Sequence, residues 1–345
     1  MKKVILHIGT EKTATKSLQQ YFSLNYNQLK KAGIWYPCSN RLKYCHGNAH
    51  FPLPASLFHD CPDFIPRHKH FNPDTLFSQL VRDFASRDER IALLSAEHFS
   101  SRCSQKKGIQ KICRYLEGFD VQIIVYFRPQ HELLISAYST YLKNGGKEAL
   151  NKKIVRETCL TAGISYFNYR LMLTPWWDVF GKNRISVRIF QKKRLKNENI
   201  FDDVLSALDI ETAFSFNVPK KLNTAVSKEV GEFLHFANQH FPAFDEGNRA
   251  GWELGQNFRA EVIPLFPKGK PLYELLSNEL IEELKAFYAD DNRELALQLR
   301  PDLNGLLFLD EQRTCETGGC KANSSFSHDF VKWIVEQWKR THPEP

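Results

Sequence analysis

The chain lacks any apolar run long enough to cross a bilayer. Nothing in its 345 residues approaches the about 20 consecutive apolar residues of a spanning helix. A leader pattern is missing too. Met1-Lys2-Lys3 is followed only by the short run Val4 to Ile8 before Gly9 and a polar stretch, too little for a signal-peptide core. The expectation is a cytoplasmic protein, with peripheral membrane contact left open. Cysteine is scattered, at positions 38, 45, 61, 103, 113, 159, 315 and 320, and no CxxC pair occurs. Zinc-ligand spacing is therefore absent and no metal is expected. Cys315 and Cys320 flank Glu-Thr-Gly-Gly, where a disulfide is geometrically feasible, but a cytosolic chain favours reduced thiols. There is no long Arg/Lys tail, which argues against nucleic acid as a partner. Internal repeats, low-complexity segments and clean linkers are lacking as well. The chain reads as a single domain over 1–345, with an α/β core over 1–195 and a mainly helical elaboration over 196–345.

What is present has the balance of a soluble globular protein, with 42% hydrophobic and 25% charged residues. The net charge of +8 favours anionic partners. Val4–Ile8 is a short β-rich run, and a helix with Leu18, Tyr21, Phe22 and Leu29 on one face follows it. Further strands are expected at 91–94, 121–127 and 185–189. The last of these alternates apolar and polar residues, as an outer strand does. Helices are expected near 73–87, 106–118, after Pro129, and over 277–298. Strands alternating with helices predict a parallel sheet covered on both faces. Residues 37–73, rich in Pro, His and aromatics, read as a long irregular loop.

The turn after the first run is Gly9-Thr10-Glu11-Lys12-Thr13-Ala14-Thr15-Lys16-Ser17. Small and hydroxyl residues let backbone N–H groups converge on an anion, and the next helix points its positive end there. Lys12 and Lys16 add charge; Thr13, Thr15 and Ser17 add short donors. The alternative is an N-capped helix with a basic first turn. A P-loop would require GxxxxGK[ST], and the second Gly before Lys-Ser is missing. The third strand ends in Phe127-Arg128-Pro129, and Ser136 lies eight residues beyond Arg128. Arg128 thus stands at the carboxyl end of a buried strand, where open α/β sheets bind ligands. Its fork suits a phosphate.

Lys12-Thr13-Ala14-Thr15-Lys16-Ser17 resembles the 5′-phosphosulfate loop of the PAPS-dependent sulfotransferases, written around K-T-G-T-T-S. Ala14 replaces the usual Gly, and Lys16 replaces a Thr or Ser. If that Gly supplies a positive φ, Ala14 strains the turn; if it supplies only close approach, a methyl fits. The Arg128/Ser136 pair resembles the family's 3′-phosphate motif. The run Arg128 to Tyr138 looks like bacterial members that sulfate carbohydrates. Weaker resemblances lie at Leu94–Phe99, Lys221–Ser227 and Asp291–Ala296.

The resemblance implies a P-loop-like sulfotransferase fold and transfer of a sulfuryl group from PAPS, leaving PAP, to a hydroxyl of a carbohydrate or glycan. Lys12 would stabilise charge on the bridging oxygen. Lys16, Thr15 and Ser17 would bind the 5′-phosphate and sulfonate. A hydroxyl acceptor needs a general base. Glu97, directly after the second strand, is the first candidate; His50 follows, and then His46. Trp35-Tyr36, Trp176-Trp177 and Trp252 can stack on sugar or fill the core. Two other classes stay open: a P-loop nucleotide kinase or NTPase, and a non-catalytic glycan- or polyanion-binding protein of the same fold.

Overall fold

The computed structural model describes residues 1–39, 42–57, 71–103, 105–210, 215–220, 225–243, 249–310 and 326–342. The apolar run at Val4–Leu6 is 3% exposed or less, as a strand covered on both faces must be, and it forms β1 (Lys3–His7). The other strands are β2 (Ile34–Trp35), β3 (Ile91–Ser95), β4 (Asp120–Phe127) and β5 (Ile185–Ile189). In chain order the helices are α1 (Thr15–Leu24), α2 (Tyr26–Lys31), α3 (Pro52–Ala55), α4 (Pro73–Ala85), α5 (His98–Ser101), α6 (Lys106–Tyr115) and α7 (Gln130–Lys143). They continue with α8 (Lys152–Cys159), α9 (Tyr169–Phe180), α10 (Ile200–Ala207), α11 (Lys228–Ala237), α12 (Arg249–Val262), α13 (Asn278–Leu299) and α14 (His328–Thr341). None of these helices is long and apolar enough to cross a membrane.

The chain divides into two compact units. The first comprises residues 1–129, 163–222 and 288–310; the second comprises 130–162, 223–287 and 311–345. The first holds one five-stranded sheet of order β2-β3-β1-β4-β5, with every pair parallel. β5 is an edge strand, as its alternation predicts. One sheet face carries Ile5, Leu93 and Ile124 against Leu18, Phe22, Leu29, Val204 and Leu205 from α1, α2 and α10. The other brings Val4, Ala92 and Leu94 against Leu80, Phe84 and Leu116. Thus the expected parallel sheet flanked by helices is the observed architecture. α4 shows how locally this is written. Asn72 accepts from the Thr75 N–H at 3.0 Å, Pro73 opens the first turn, and Leu76, Phe77, Leu80 and Phe84 form the buried stripe.

Two expectations are corrected. The helix carrying Leu18 to Leu29 is two helices, broken at Asn25. That side chain is fully buried, donates to the Tyr21 and Asn217 carbonyls at 2.8 and 2.9 Å, and accepts from the Asn217 N–H at 2.7 Å. A side chain committed to a distant segment competes with the helix ladder. The strand β2 was not expected, because two residues carry no periodicity.

The second unit contains α7, α8, α11, α12 and α14, and no strand among its described residues. Its interior is aromatic: Phe258 faces Phe241 and Trp338 at 5.1 and 5.3 Å. Trp35, Tyr36 and Trp176 of the first unit are 2% exposed or less, so all three belong to the core.

Asp203, on α10 and 2% exposed, closes the first unit electrostatically. It accepts from Tyr126 Oη at 2.7 Å, from Arg188 Nε and Nη2 at 2.9 and 2.5 Å, and from the Lys196 N–H at 3.0 Å. Removing one partner of such a buried pair leaves the other uncompensated. Asp203→Ala should therefore cost about 3–5 kcal/mol in urea unfolding. A loss below about 1 kcal/mol would show the network to be dispensable.

Candidate functional site

β1, β3 and β4 are adjacent and parallel, with His7 opposite both Ser95 and Ile124. Their carboxyl ends therefore share one sheet edge, from which Gly9, Glu97 and Arg128 emerge. From β1 the chain runs to the edge strand β2, comes back inward to β3 beside β1, then passes β1 to β4 on its other side. Crevices at such a reversal are where open α/β sheets place ligands.

The turn after β1 is held in an unusual backbone conformation. Gly9, Lys12 and Ala14 have φ of 63°, 66° and 63°. Ala14 stands at the N-cap of α1 with no side-chain acceptor, so the N-cap residue itself caps none of the first-turn N–H groups. This settles the question left by the sequence: position 14 requires a positive φ, and the methyl is strained there. Thr13 and Thr15 are buried, and their hydroxyls donate to the Thr10 carbonyl at 2.7 and 3.3 Å. Thr10 Oγ1 in turn donates to the Tyr126 carbonyl at 2.8 Å. The threonine hydroxyls shape the turn, and what Thr13 and Thr15 offer a ligand is backbone N–H. Ser17 is half-buried and Lys16 is exposed.

Arg128 braces this turn directly. Its Nη1 donates to the Lys12 carbonyl at 2.8 Å, its guanidinium lies 5.5 Å from the Phe190 ring centre, and its own carbonyl accepts from Tyr169 Oη at 2.6 Å. Ser136 lies on α7, in the second unit, half-buried, with its carbonyl accepting from Thr140 Oγ1 at 3.2 Å. Its pairing with Arg128 rests on the spacing in the sequence.

Glu97 packs against the same turn. A Cβ on Gly9 would fall 3.1 and 3.2 Å from the Glu97 Cα and Cβ, and 3.0 Å from Thr15 Oγ1. Any side chain there would press on Glu97 and Thr15 and sit at a strained φ of 63°. Gln19, on α1, donates to Glu97 Oε2 at 3.2 Å and to the Ser95 carbonyl at 3.3 Å, and so aims the carboxylate.

His50 is fully buried and used on both sides of its ring. Its Nδ1 accepts from the Ser95 N–H at 2.9 Å, and its Nε2–H donates to the Pro37 carbonyl at 2.7 Å. Burial pulls it down to about 4. His7 is 1% exposed, its Nδ1 bonds Ser95 Oγ at 2.8 Å, and burial takes it to about 4 as well. Both rings brace the end of β3 behind Glu97. His46 packs its ring 5.2 Å from that of Phe51.

Sequence reasoning missed Glu11. Inside the turn it accepts from Tyr166 Oη at 3.2 Å and stands 4.0 Å from Arg102 Nη1. Burial, then the Glu11 charge, pushes the Tyr166 phenol well up. Nothing local in the sequence joins positions 11, 102 and 166. Of the weaker resemblances, residues 221–224 lie outside the described residues, as do Cys61, Cys315 and Cys320. Ser227 caps α11, accepting from the Val230 N–H at 3.2 Å. Asp291 accepts from Asn168 Nδ2 at 2.6 Å and pairs with Arg170 at 2.5 Å.

Two outcomes follow. Ala14→Gly relieves a left-handed alanine and should raise stability by about 1 kcal/mol in denaturant unfolding. No gain would mean that the turn is not strained. His7 and His50 have folded values depressed from 6.5 to about 4, so the unfolded chain binds more protons between those limits. Their contribution is complete above about pH 6.5 and is lost as pH falls toward about 4, up to about 3 kcal/mol per histidine. Denaturant melts across that window should show stability rising with pH, with a shallower slope in His50→Gln. A flat profile would contradict burial of neutral rings.

No family model matches the chain, and no curated protein matches it in sequence. Among solved structures, a sulfotransferase from Alicyclobacillus acidocaldarius is similar at a TM-score of 0.48 and 15% identity, over 86% of this chain and 94% of that one.

Proposed function

We propose that this chain is a PAPS-dependent sulfotransferase that transfers a sulfuryl group to a carbohydrate or glycan hydroxyl. The observation that carries the reading is one shared turn. The loop at 9–17, with its uncapped helix start, is touched by Arg128 from the end of β4 and by Glu97 from the end of β3. An anion-binding backbone, a cation and an oriented carboxylate therefore meet on one edge.

These residues fit the anionic part of such a nucleotide. Backbone N–H groups converging at a helix start favour a phosphate or sulfonate without a charge of their own. Lys12 and Lys16 add that charge, and Ser17 adds a hydroxyl. The nucleotide would supply the sulfuryl group. In this reading Lys12 stabilises negative charge on the departing oxygen, Arg128 binds the 3′-phosphate while bracing Lys12, and Ser136 joins it on the basis of spacing. Glu97, aimed by Gln19, removes the acceptor proton. The geometry favours Glu97 over His50, because both nitrogens of His50 are already engaged with backbone.

Arg128→Ala should weaken PAP binding by about 1.5–3 kcal/mol in calorimetry. Glu97→Gln should abolish transfer of label from PAPS to a hydroxyl acceptor while PAP affinity stays unchanged. Preference for ATP with Mg²⁺ over PAP would favour a nucleotide kinase. Undiminished transfer by Glu97→Gln would remove Glu97 from the chemistry.

A further inference from the structure

The second unit buries an arginine that no carboxylate among the described residues balances. Arg259, on α12, is 2% exposed. Its Nη1 donates to Asn238 Oδ1 at 3.0 Å, and its guanidinium lies 6.0 Å from the Phe241 ring centre. Nε and Nη2 are buried and have no hydrogen-bond partner among the described residues. Burial alone pulls the group down to about 10, with no opposing charge to lift it, so it remains a cation at neutral pH.

Which nitrogens stand unpartnered matters. Nε–H and Nη2–H point the same way and form the edge of the guanidinium that grips two oxygens of one carboxylate, sulfate or phosphate. The single engaged nitrogen, Nη1, lies off that edge. Around it the backbone comes unusually close. A Cβ on Gly145 would fall 3.2 Å from Nη2, and one on Gly255 would fall 3.1 Å from Nη1. Gly145 also has φ of 93°, which disfavours any side chain. Asn238 cannot swing round to help. Its Nδ2 already donates to the Leu142 and Gly146 carbonyls at 2.9 and 2.7 Å. Gly145 and Gly146 are only half-buried, so a turn without side chains separates the guanidinium from solvent.

A buried cation left uncompensated is among the costliest features a fold can carry. We propose that Arg259 is the receptor for an oxyanion, held through its Nε–H and Nη2–H fork beneath the Gly145–Gly146 turn. The ligand class is any group presenting two oxygens on one edge: carboxylate, sulfate or phosphate.

Thermal melts of the native chain with sulfate, phosphate and acetate, against chloride at matched ionic strength, test this. The expected result is a saturable rise in Tm with at least one oxyanion. The rise should be absent in Arg259→Met and at least about tenfold weaker in apparent affinity in Arg259→Lys, which keeps the charge and loses the fork. It should persist in Arg128→Ala, which separates it from the turn at 9–17. To keep the test independent of how well Arg259→Met folds, the ¹⁵N-labelled Arg259 Nε–H resonance of the native chain gives a second readout, expected to move with added oxyanion. An unmoved resonance, or equal responses from native and Arg259→Met chains, overturns the proposal. So does a native chain whose Tm none of the three oxyanions raises.

Discussion

The candidate site depends on holding a short turn in a conformation its residues resist. Lys12 and Ala14 both occupy left-handed backbone, and neither is glycine. Such strain persists only where the surroundings over-determine it. Here the surroundings are specific. Two threonine hydroxyls converge on the Thr10 carbonyl, Thr10 ties the turn to the end of β4, and Arg128 holds the Lys12 carbonyl between the two strained residues. The outcome is a turn whose N–H groups are fixed before any anion arrives. Preorganised donors of that kind stabilise charge without reorganising as it develops.

A second lock stands behind Glu97. Every polar atom of Ser95 is engaged: its N–H with His50, its hydroxyl with His7, its carbonyl with Gln19. The Ala96 N–H donates to the His7 carbonyl at 3.1 Å. Glu97 thus leaves β3 from a fully determined point, and Gln19 fixes its far end from α1. The helix that points at the candidate anion site is also the helix that aims the carboxylate. Nucleotide and acceptor chemistry would therefore be aligned by one element. On the proposed reading Glu11 needs its own control, since a carboxylate inside the turn would repel an anionic ligand. Tyr166 and Arg102 draw it aside.

Three of the longer strands were legible as apolar runs, since buried parallel strands must be apolar on both faces, and β5 was legible by its edge-strand alternation. The sheet edge bearing Gly9, Glu97 and Arg128 followed from their order. Hydrogen-bond direction did not. Nothing in Thr13 or Thr15 says whether the hydroxyl points at a ligand or at Thr10. His50 reads as a loop histidine until Pro37 and Ser95 are seen on either side of it. Asn25 looks like a tolerable helix residue until residue 217, far along the chain, takes its side chain. The last two depend on partners distant in sequence, and all depend on hydrogen-bond direction, which periodicity cannot register.

Two arginines show how differently one fork can be used. Arg188 meets Asp203 through Nε and Nη2 at 2.9 and 2.5 Å, and that pair also satisfies Tyr126 and the Lys196 N–H. Its charge is neutralised within the fold and serves cohesion. Arg259 is more deeply buried, yet the same two nitrogens face no acceptor among the described residues, and its one described bond goes to a neutral amide. If cohesion were its role, an apolar side chain of similar volume would serve as well, since buried ion pairs rarely outperform hydrophobic packing and an unpaired ion does worse. Retaining a permanent cation at such a position is economical only when something negative completes it. The completing charge must then come from outside the described fold, which makes the second unit's stability a function of what it binds.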